Sequence, residues 1–169
     1  QFCLGENIMT VGQRLKRFRT RKGLTQKQLG LAIGFDNRTA DIRIAQYETG
    51  TRKPKEKYIE KLAAIVGVQP SALEVGDIEN YEHLFQLLFA LEDEYGFKIS
   101  KDENGTPCLV PDRFDRSSHL DTFRNWYTKS EQLKNGEITQ EQYDDWRYNY
   151  PASSARETHE ALKSIGEKE

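Results

Sequence analysis

Glycines at nearly regular spacing divide the first 76 residues into short segments that each carry a helical apolar pattern. The glycines that end these segments are Gly23, Gly34, Gly50 and Gly67. Glycine is common just after a helix C-terminus, and apolar residues three or four apart indicate amphipathic helices. The pattern therefore predicts helices over about 11–22, 25–33, 39–49 and 54–66, and a short fifth helix over 70–73.

The second predicted helix begins with two independent start signals. Thr25 and Gln28 have the spacing of a capping box, and Leu24 and Leu29 have the spacing of a hydrophobic staple. A polar connection over residues 35–38 separates this helix from the third. The sequence thus predicts two consecutive helices joined by a turn.

The third predicted helix has one face that suits the core and one that suits DNA. If Ile44 faces inward, its inward neighbours are Ala40, Tyr47 and Glu48. The outward face consists of Thr39, Ile42, Arg43, Gln46 and Thr49. An exposed isoleucine beside glutamine and arginine is typical of a surface that meets thymine methyl groups and base acceptors in the major groove.

Charge is divided unevenly along the chain, although the net formal charge is only −2. Residues 1–76 contain 14 lysines and arginines against 7 aspartates and glutamates, a net charge of +7. Residues 77–169 contain 11 against 20, a net charge of −9. A basic half can meet a polyanion, whereas an acidic half is repelled by one. We therefore expect the two halves to have different tasks.

Several residues of the first half stand in the order and spacing of a known family. They are Arg14-Leu15, Arg19, Leu24-Thr25-Gln26, Leu29, Tyr47-Glu48, Gly50 and Pro54. On these residues, the segment from about 11 to 73 resembles the Cro and phage-repressor type (XRE family) of helix-turn-helix transcriptional regulators. The resemblance implies a five-helix lambda-repressor-like DNA-binding domain, with boundaries that we place at 9–76.

The resemblance also implies roles for individual residues. Arg19 and Glu48 would pair inside the domain, Gln26 would reach a phosphate, and Gln46 would read a base. The predicted DNA-binding residues are Thr25, Gln26, Lys27, Arg38, Thr39, Ile42, Arg43, Gln46, Arg52, Lys53 and Lys55. The chain departs from the family between Gly34 and Tyr47, where it is about four residues longer. The extra residues either lengthen the turn or extend the third helix at its N-terminus.

The second half predicts a small helical unit over 77–151 with a β-hairpin, followed by a polar tail over 152–169. Its first helix, over about 80–95, carries apolar residues on an arc wider than an ordinary surface helix needs. We expect this arc to be covered partly by a second copy of the chain. The predicted dimer-interface residues are Leu84, Leu87, Leu88, Leu91, Trp126 and Trp146. A protein or peptide effector is the alternative occupant of this surface.

Other classes of function find no support in the sequence. No apolar run has the length of a membrane span, and the first ten residues lack a secretory signal, with Met9 as the expected natural start. Cys3 and Cys108 are too few and too far apart for a disulfide framework. Metal-ligand spacings, a phosphate loop, a nucleophile elbow and an Ala-Gly self-cleavage site are missing. We expect a cytoplasmic, homodimeric DNA-binding repressor without catalytic activity, metal or cofactor.

Overall fold

The computed structural model describes residues 10–75, 81–111 and 119–166, which belong to two compact units. The first unit joins residues 10–75 to residues 144–166, and the second contains residues 81–111 and 119–143. In chain order the elements are α1 (Val11–Arg21), α2 (Gln26–Ala32), α3 (Ala40–Glu48), α4 (Glu56–Val66), α5 (Pro70–Leu73), α6 (Tyr81–Tyr95), β1 (Lys98–Lys101), β2 (Pro107–Val110), α7 (His119–Lys134), α8 (Gln140–Tyr148) and α9 (Ala152–Gly166). The predicted fold class, mainly α with one hairpin, is confirmed.

Two capping boxes fix where the first two helices begin. The Thr25 hydroxyl accepts a hydrogen bond from the Gln28 N–H at 3.1 Å, and the Gln28 side chain accepts one from the Thr25 N–H at 2.8 Å. Thr10 and Gln13 make the same reciprocal pair ahead of α1. A capping threonine contributes about 1 kcal/mol because it satisfies an N–H that the helix itself cannot. The box predicted at Thr25 is confirmed.

The core of the first unit is built from one apolar stripe on each of helices α1 to α5. Its largest fully buried side chains are Phe18, Leu15, Leu29, Ile44, Leu62, Leu73 and Val66. Burial of one such side chain stabilises a fold by about 1.5–3 kcal/mol. These residues occupy the positions that the helical periodicity assigns to the interior.

The end of α8 and the residues after it belong to the first unit through contacts with α1 and α4–α5. The Tyr148 ring meets the Phe18 ring edge-on, with 4.7 Å between centroids. The Tyr148 carbonyl accepts a hydrogen bond from the Gln69 N–H at 3.0 Å, and the Asn149 amide donates to the Gly67 carbonyl at 3.2 Å. The structure therefore groups residues 144–166 with the first unit and forms α9 where the sequence analysis placed a polar tail.

The second unit contains the hairpin and a short aromatic row. Strands β1 and β2 pair antiparallel, with Lys98 opposite Val110 and Lys101 opposite Pro107. Asp102 Oδ1 accepts hydrogen bonds from the N–H groups of Asn104 and Thr106, at 2.9 and 2.8 Å, which closes the predicted turn. The predicted hairpin is thus confirmed.

Aromatic side chains provide the packing of the second unit. Phe97 is buried and lies 5.4 Å from the Phe123 ring, which in turn lies 6.1 Å from the Trp126 ring. The Trp126 indole N–H donates to the Tyr143 hydroxyl at 2.7 Å. Many other large apolar side chains of this unit are exposed, namely Phe85, Leu87, Phe89, Tyr95, Ile99, Leu109, Val110 and Tyr127.

Candidate nucleic-acid interface

Helix α3 lies directly against α2 because Gly30 has no side chain. A Cβ atom at Gly30 would lie 2.4 Å from the carbonyl oxygen of Ala40, closer than any real Cβ contact. The α2 helix ends in a Schellman motif, in which Gly34, at φ +94°, donates to Leu31 and the Phe35 N–H donates to the Gly30 carbonyl, both at 2.9 Å. Backbone contact therefore sets the position of α3.

The extra residues between the two helices lengthen the turn and leave α3 beginning at Ala40. The Asp36 carboxylate accepts a hydrogen bond from the Arg38 N–H at 2.8 Å, and the Asp36 carbonyl accepts one from the Thr39 N–H at 3.0 Å. Phe35 turns inward and is buried, while Arg38 is exposed. The first of the two alternatives for this segment is the one observed.

The two faces of α3 divide as the periodicity predicts. Ala40, Ile44, Tyr47 and Glu48 are buried. Ile42 is 53% exposed, and the side chain of Arg43 is exposed beside it. Gln46 and Thr39 are partly buried on the same outward side. An apolar side chain this open on the outward face of a helix suits a contact with thymine methyl groups.

A buried ion pair holds α3 to α1. Arg19 Nε donates to Glu48 Oε1 at 2.5 Å, and a terminal nitrogen of the same guanidinium donates to Oε2 at 3.0 Å. The other terminal nitrogen of Arg19 donates to the Leu24 carbonyl at 2.6 Å. The side chains of Arg19 and Glu48 are 12% and 2% exposed. The geometry is that of a bidentate, charge-assisted pair.

Gln26 takes part in the same network. Its side-chain nitrogen donates to Glu48 Oε2 at 2.8 Å. The sequence analysis assigned Gln26 to a DNA phosphate, and that assignment stays a prediction. The hydrogen bond to Glu48 fixes the start of α2 relative to α3 and uses one of the two N–H donors of the amide.

Basic side chains follow α3 directly. Arg52, Lys53 and Lys55 are exposed, and the Arg52 N–H donates to the Gln46 carbonyl at 3.1 Å. That bond ties the basic segment to the last turn of α3. Thr25 and Lys27 are exposed at the start of α2. The predicted phosphate-contacting groups other than Gln26 are therefore open to a ligand.

Burial raises the pKa of the Tyr47 phenol, and the neighbouring Tyr58 raises it further. The guanidinium groups of Arg43 and Arg52 act in the opposite direction because a positive charge favours the phenolate. The tyrosine is thus neutral at physiological pH.

The alkaline stability of the protein should depend on Tyr47. A phenol in an unfolded chain loses its proton near pH 10, whereas the folded state keeps this proton to a higher pH. The folded state therefore binds more protons in that window, and stability falls as the pH rises from about 10 through the folded pKa. We expect Tyr47→Phe to show a shallower loss of unfolding free energy above about pH 10, measured by urea denaturation. Equal pH dependence in both proteins would contradict this role.

The predicted dimer residues lie in different environments. Leu87 and Trp126 are exposed in the second unit, and Leu84, Leu88 and Leu91 are partly buried. Trp146 is only 6% exposed within the first unit, where its ring lies 6.0 Å from that of Tyr150. Five of the six residues are therefore open to a partner, and Trp146 offers almost no surface.

Comparison with known proteins assigns residues 10–75 to a class of domain. Residues 10–75 match the family model described as a helix-turn-helix domain. Among solved structures, the crystal structure of the transcriptional regulator BswR is similar at 29% identity, over 50% of this chain and 95% of that chain, with a TM-score of 0.38. The search of curated proteins found no match. On the family model, residues 10–75 are a helix-turn-helix domain, and DNA-binding regulation is the activity that this domain supports.

Two further features are absent from the described part of the chain. In residues 10–75, 81–111 and 119–166, no three or more metal-ligating side chains come together in a way that could hold an ion. The helices in these same ranges are all too short or too polar to cross a bilayer.

Proposed function

We propose that this protein is a sequence-specific regulator of transcription, acting as a repressor, that binds double-stranded DNA as a homodimer in the cytoplasm and has no catalytic activity. The observation that carries the proposal is the open face of α3. Ile42, Arg43 and Gln46 project from a helix whose opposite face is fixed by buried contacts. A rigid helix with such a face fits the major groove.

Each exposed group on this face has a defined task in the proposal. Arginine can donate two hydrogen bonds to the O6 and N7 atoms of guanine, and glutamine can pair with the N6 and N7 atoms of adenine. Ile42 would contact thymine methyl groups. Arg38 and Thr39 lie at the N-terminal end of α3 and would contact the flanking backbone.

Phosphate contacts would come from both sides of α3. Lys27 lies at the start of α2, and Arg52, Lys53 and Lys55 follow α3. Such contacts position a protein on the duplex without reading its sequence.

The salt dependence of binding should report these phosphate contacts. Each phosphate contact contributes about 0.9 to the slope of the logarithm of affinity against the logarithm of salt concentration. These four basic groups together with Arg38 predict a slope of about −4 to −5 per protomer, measured by fluorescence anisotropy with a labelled duplex. Lys53→Ala should reduce the slope by about 1. Lys163→Ala on the exposed side of α9 is the matched control and should leave the slope unchanged. A DNA affinity that does not change with salt concentration would contradict the proposal.

The second unit supports the homodimer. Helix α6 leaves Phe85, Leu87 and Phe89 about half exposed on a helix that is apolar on most of its surface. A helix of this kind is normally buried. A second copy of the same helix would cover Phe85 and Phe89, whose ring centroids lie 6.1 Å apart on one side of α6. It would also set the spacing of two DNA half-sites, near one helical turn of ~34–36 Å.

A charged side chain on α6 should separate the protomers. Phe89 is 51% exposed, so Phe89→Glu leaves the protomer folded and places a carboxylate in the proposed contact. We expect light scattering to show a dimer for the wild type and a monomer for the variant. Gln86→Glu, on the same helix at a polar exposed position, adds equal charge and should remain dimeric. A dimeric Phe89→Glu protein would place the contact elsewhere.

The second candidate function is that of a module that binds a protein or peptide partner, and the charge of α6 favours it. The helix carries Glu82, Glu92, Asp93 and Glu94 and has neither lysine nor arginine. Two such helices side by side repel at these positions, whereas a basic protein or peptide partner would not. A monomeric wild-type protein that binds such a partner through Phe89 would support this alternative over the homodimer.

A further inference from the structure

Phe35 occupies an unusual place between the core and the candidate interface. It is only 6% exposed. Its ring meets the Tyr58 ring edge-on at 5.0 Å and lies 6.2 Å from the Tyr47 ring. The backbone fixes the residue as well, because its N–H closes the end of α2 on the Gly30 carbonyl. Phe35 is therefore a rigid aromatic platform held by three elements.

The guanidinium carbon of Arg43 lies over the Phe35 ring, 4.8 Å from its centroid. At this distance a guanidinium is attracted to the negative face of an aromatic ring. Arg43 is an exposed residue of α3, and a long exposed side chain ordinarily samples many rotamers. The ring contact favours the rotamers that keep the guanidinium over Phe35.

We infer that Phe35 is a positioning residue that aims Arg43 at one base pair and so sets the sequence preference there. The preferred pair is guanine–cytosine, because a guanidinium held in one orientation matches the O6 and N7 acceptors of guanine. The inference rests on the proposed function. The longer turn also gains a role, because it directly follows Phe35.

The test is a double-mutant cycle in DNA discrimination. The single variants are Phe35→Leu and Arg43→Ala, and the third protein combines them. Affinity is measured for the best duplex from selection and for duplexes with one base pair changed. We expect Phe35→Leu to reduce discrimination at one guanine–cytosine pair about tenfold and to leave the salt slope unchanged. In the Arg43→Ala background, Phe35→Leu should not change this discrimination any further.

A matched control separates positioning from packing. Tyr58→Leu removes the ring that meets Phe35 edge-on and leaves both Phe35 and Arg43 unchanged. It should lower the melting temperature and preserve discrimination. A Phe35→Leu effect that is equal at all base pairs, or that persists in the Arg43→Ala background, would overturn the inference.

A measurement on the wild type covers the case in which Phe35→Leu fails to fold. The NMR signal of the Arg43 Nε–H group should be shifted upfield by the ring current of Phe35, both in the free protein and in the DNA complex. An unshifted signal would overturn the inference by itself. A wild-type protein without any sequence preference would instead overturn the proposed function, so the two failures are distinguishable.

Discussion

Replacing Arg43 and Gln46 together with alanine is expected to abolish sequence discrimination and to leave the fold intact. A good bidentate contact to a base is worth about 1–3 kcal/mol of discrimination. Loss of two contacts should therefore reduce the preference for the best site over random duplex by about 30-fold to 10⁴-fold. Both side chains lie on the outward face of α3 and outside the buried core, so the melting temperature should change little.

The measurement is competition between the selected duplex and random duplex at fixed salt. Arg156→Ala on α9 removes the same charge from an exposed position and serves as the control. It should leave discrimination unchanged. Equal loss of affinity for all sequences in the double variant would mean that the two residues contact phosphates alone and would contradict base reading by α3.

Glu48→Ala is expected to be the most destabilising single substitution in the polar network of the first unit. It leaves the Arg19 guanidinium and the Gln26 amide without their carboxylate partner. Breaking a buried ion pair by removing one member costs about 3–5 kcal/mol because the remaining charge stays buried. Since a typical domain is stable by only about 5–15 kcal/mol, the loss should be evident in urea denaturation.

An exposed ion pair provides the comparison. Arg124 and Asp121 lie 2.8 Å apart, with side chains about three-quarters exposed. Solvent screens such a pair, so Asp121→Ala should cost less than about 1 kcal/mol. A Glu48→Ala loss of the same small size would show that the Arg19–Glu48 pair is screened in solution and does not hold α3 in place.

Local signals in the sequence were sufficient for helices α1 to α5. The capping box at Thr25 and the glycines at helix ends act within a few residues, so their effect can be read directly from the chain. The inward face of α3 followed from helical periodicity around Ile44. The pairing of Arg19 with Glu48 spans 29 positions and was available only through the resemblance to a known family.

Contacts between distant residues account for what the sequence did not reveal. Tyr148 packs on Phe18 across 130 positions, and no local pattern marks either residue as a partner of the other. The same return of the chain buries Trp146, whose aromatic character alone favoured an interface. The hydrogen bond between Gln26 and Glu48 likewise depends on the packing of α2 against α3.

The burial of Phe35 was missed for a different reason, because a local sequence signal for it was present. The residue follows Gly34 directly, and an apolar residue at the second position after a helix often packs back on the last turn in a Schellman motif. Because residues 36–38 are polar, the whole segment was interpreted as a polar connection. With the motif recognised, burial of Phe35 is predictable, but its contact with Arg43 requires the position of α3.

The central claim is that the open face of α3 meets the bases of duplex DNA. Backbone amide chemical shifts, recorded for the full chain with and without the selected duplex, test it most directly. We expect the largest changes over residues 38–46 and 51–55, and small changes over 81–111. Large changes confined to other residues, with α3 unaffected at saturating duplex, would contradict the claim.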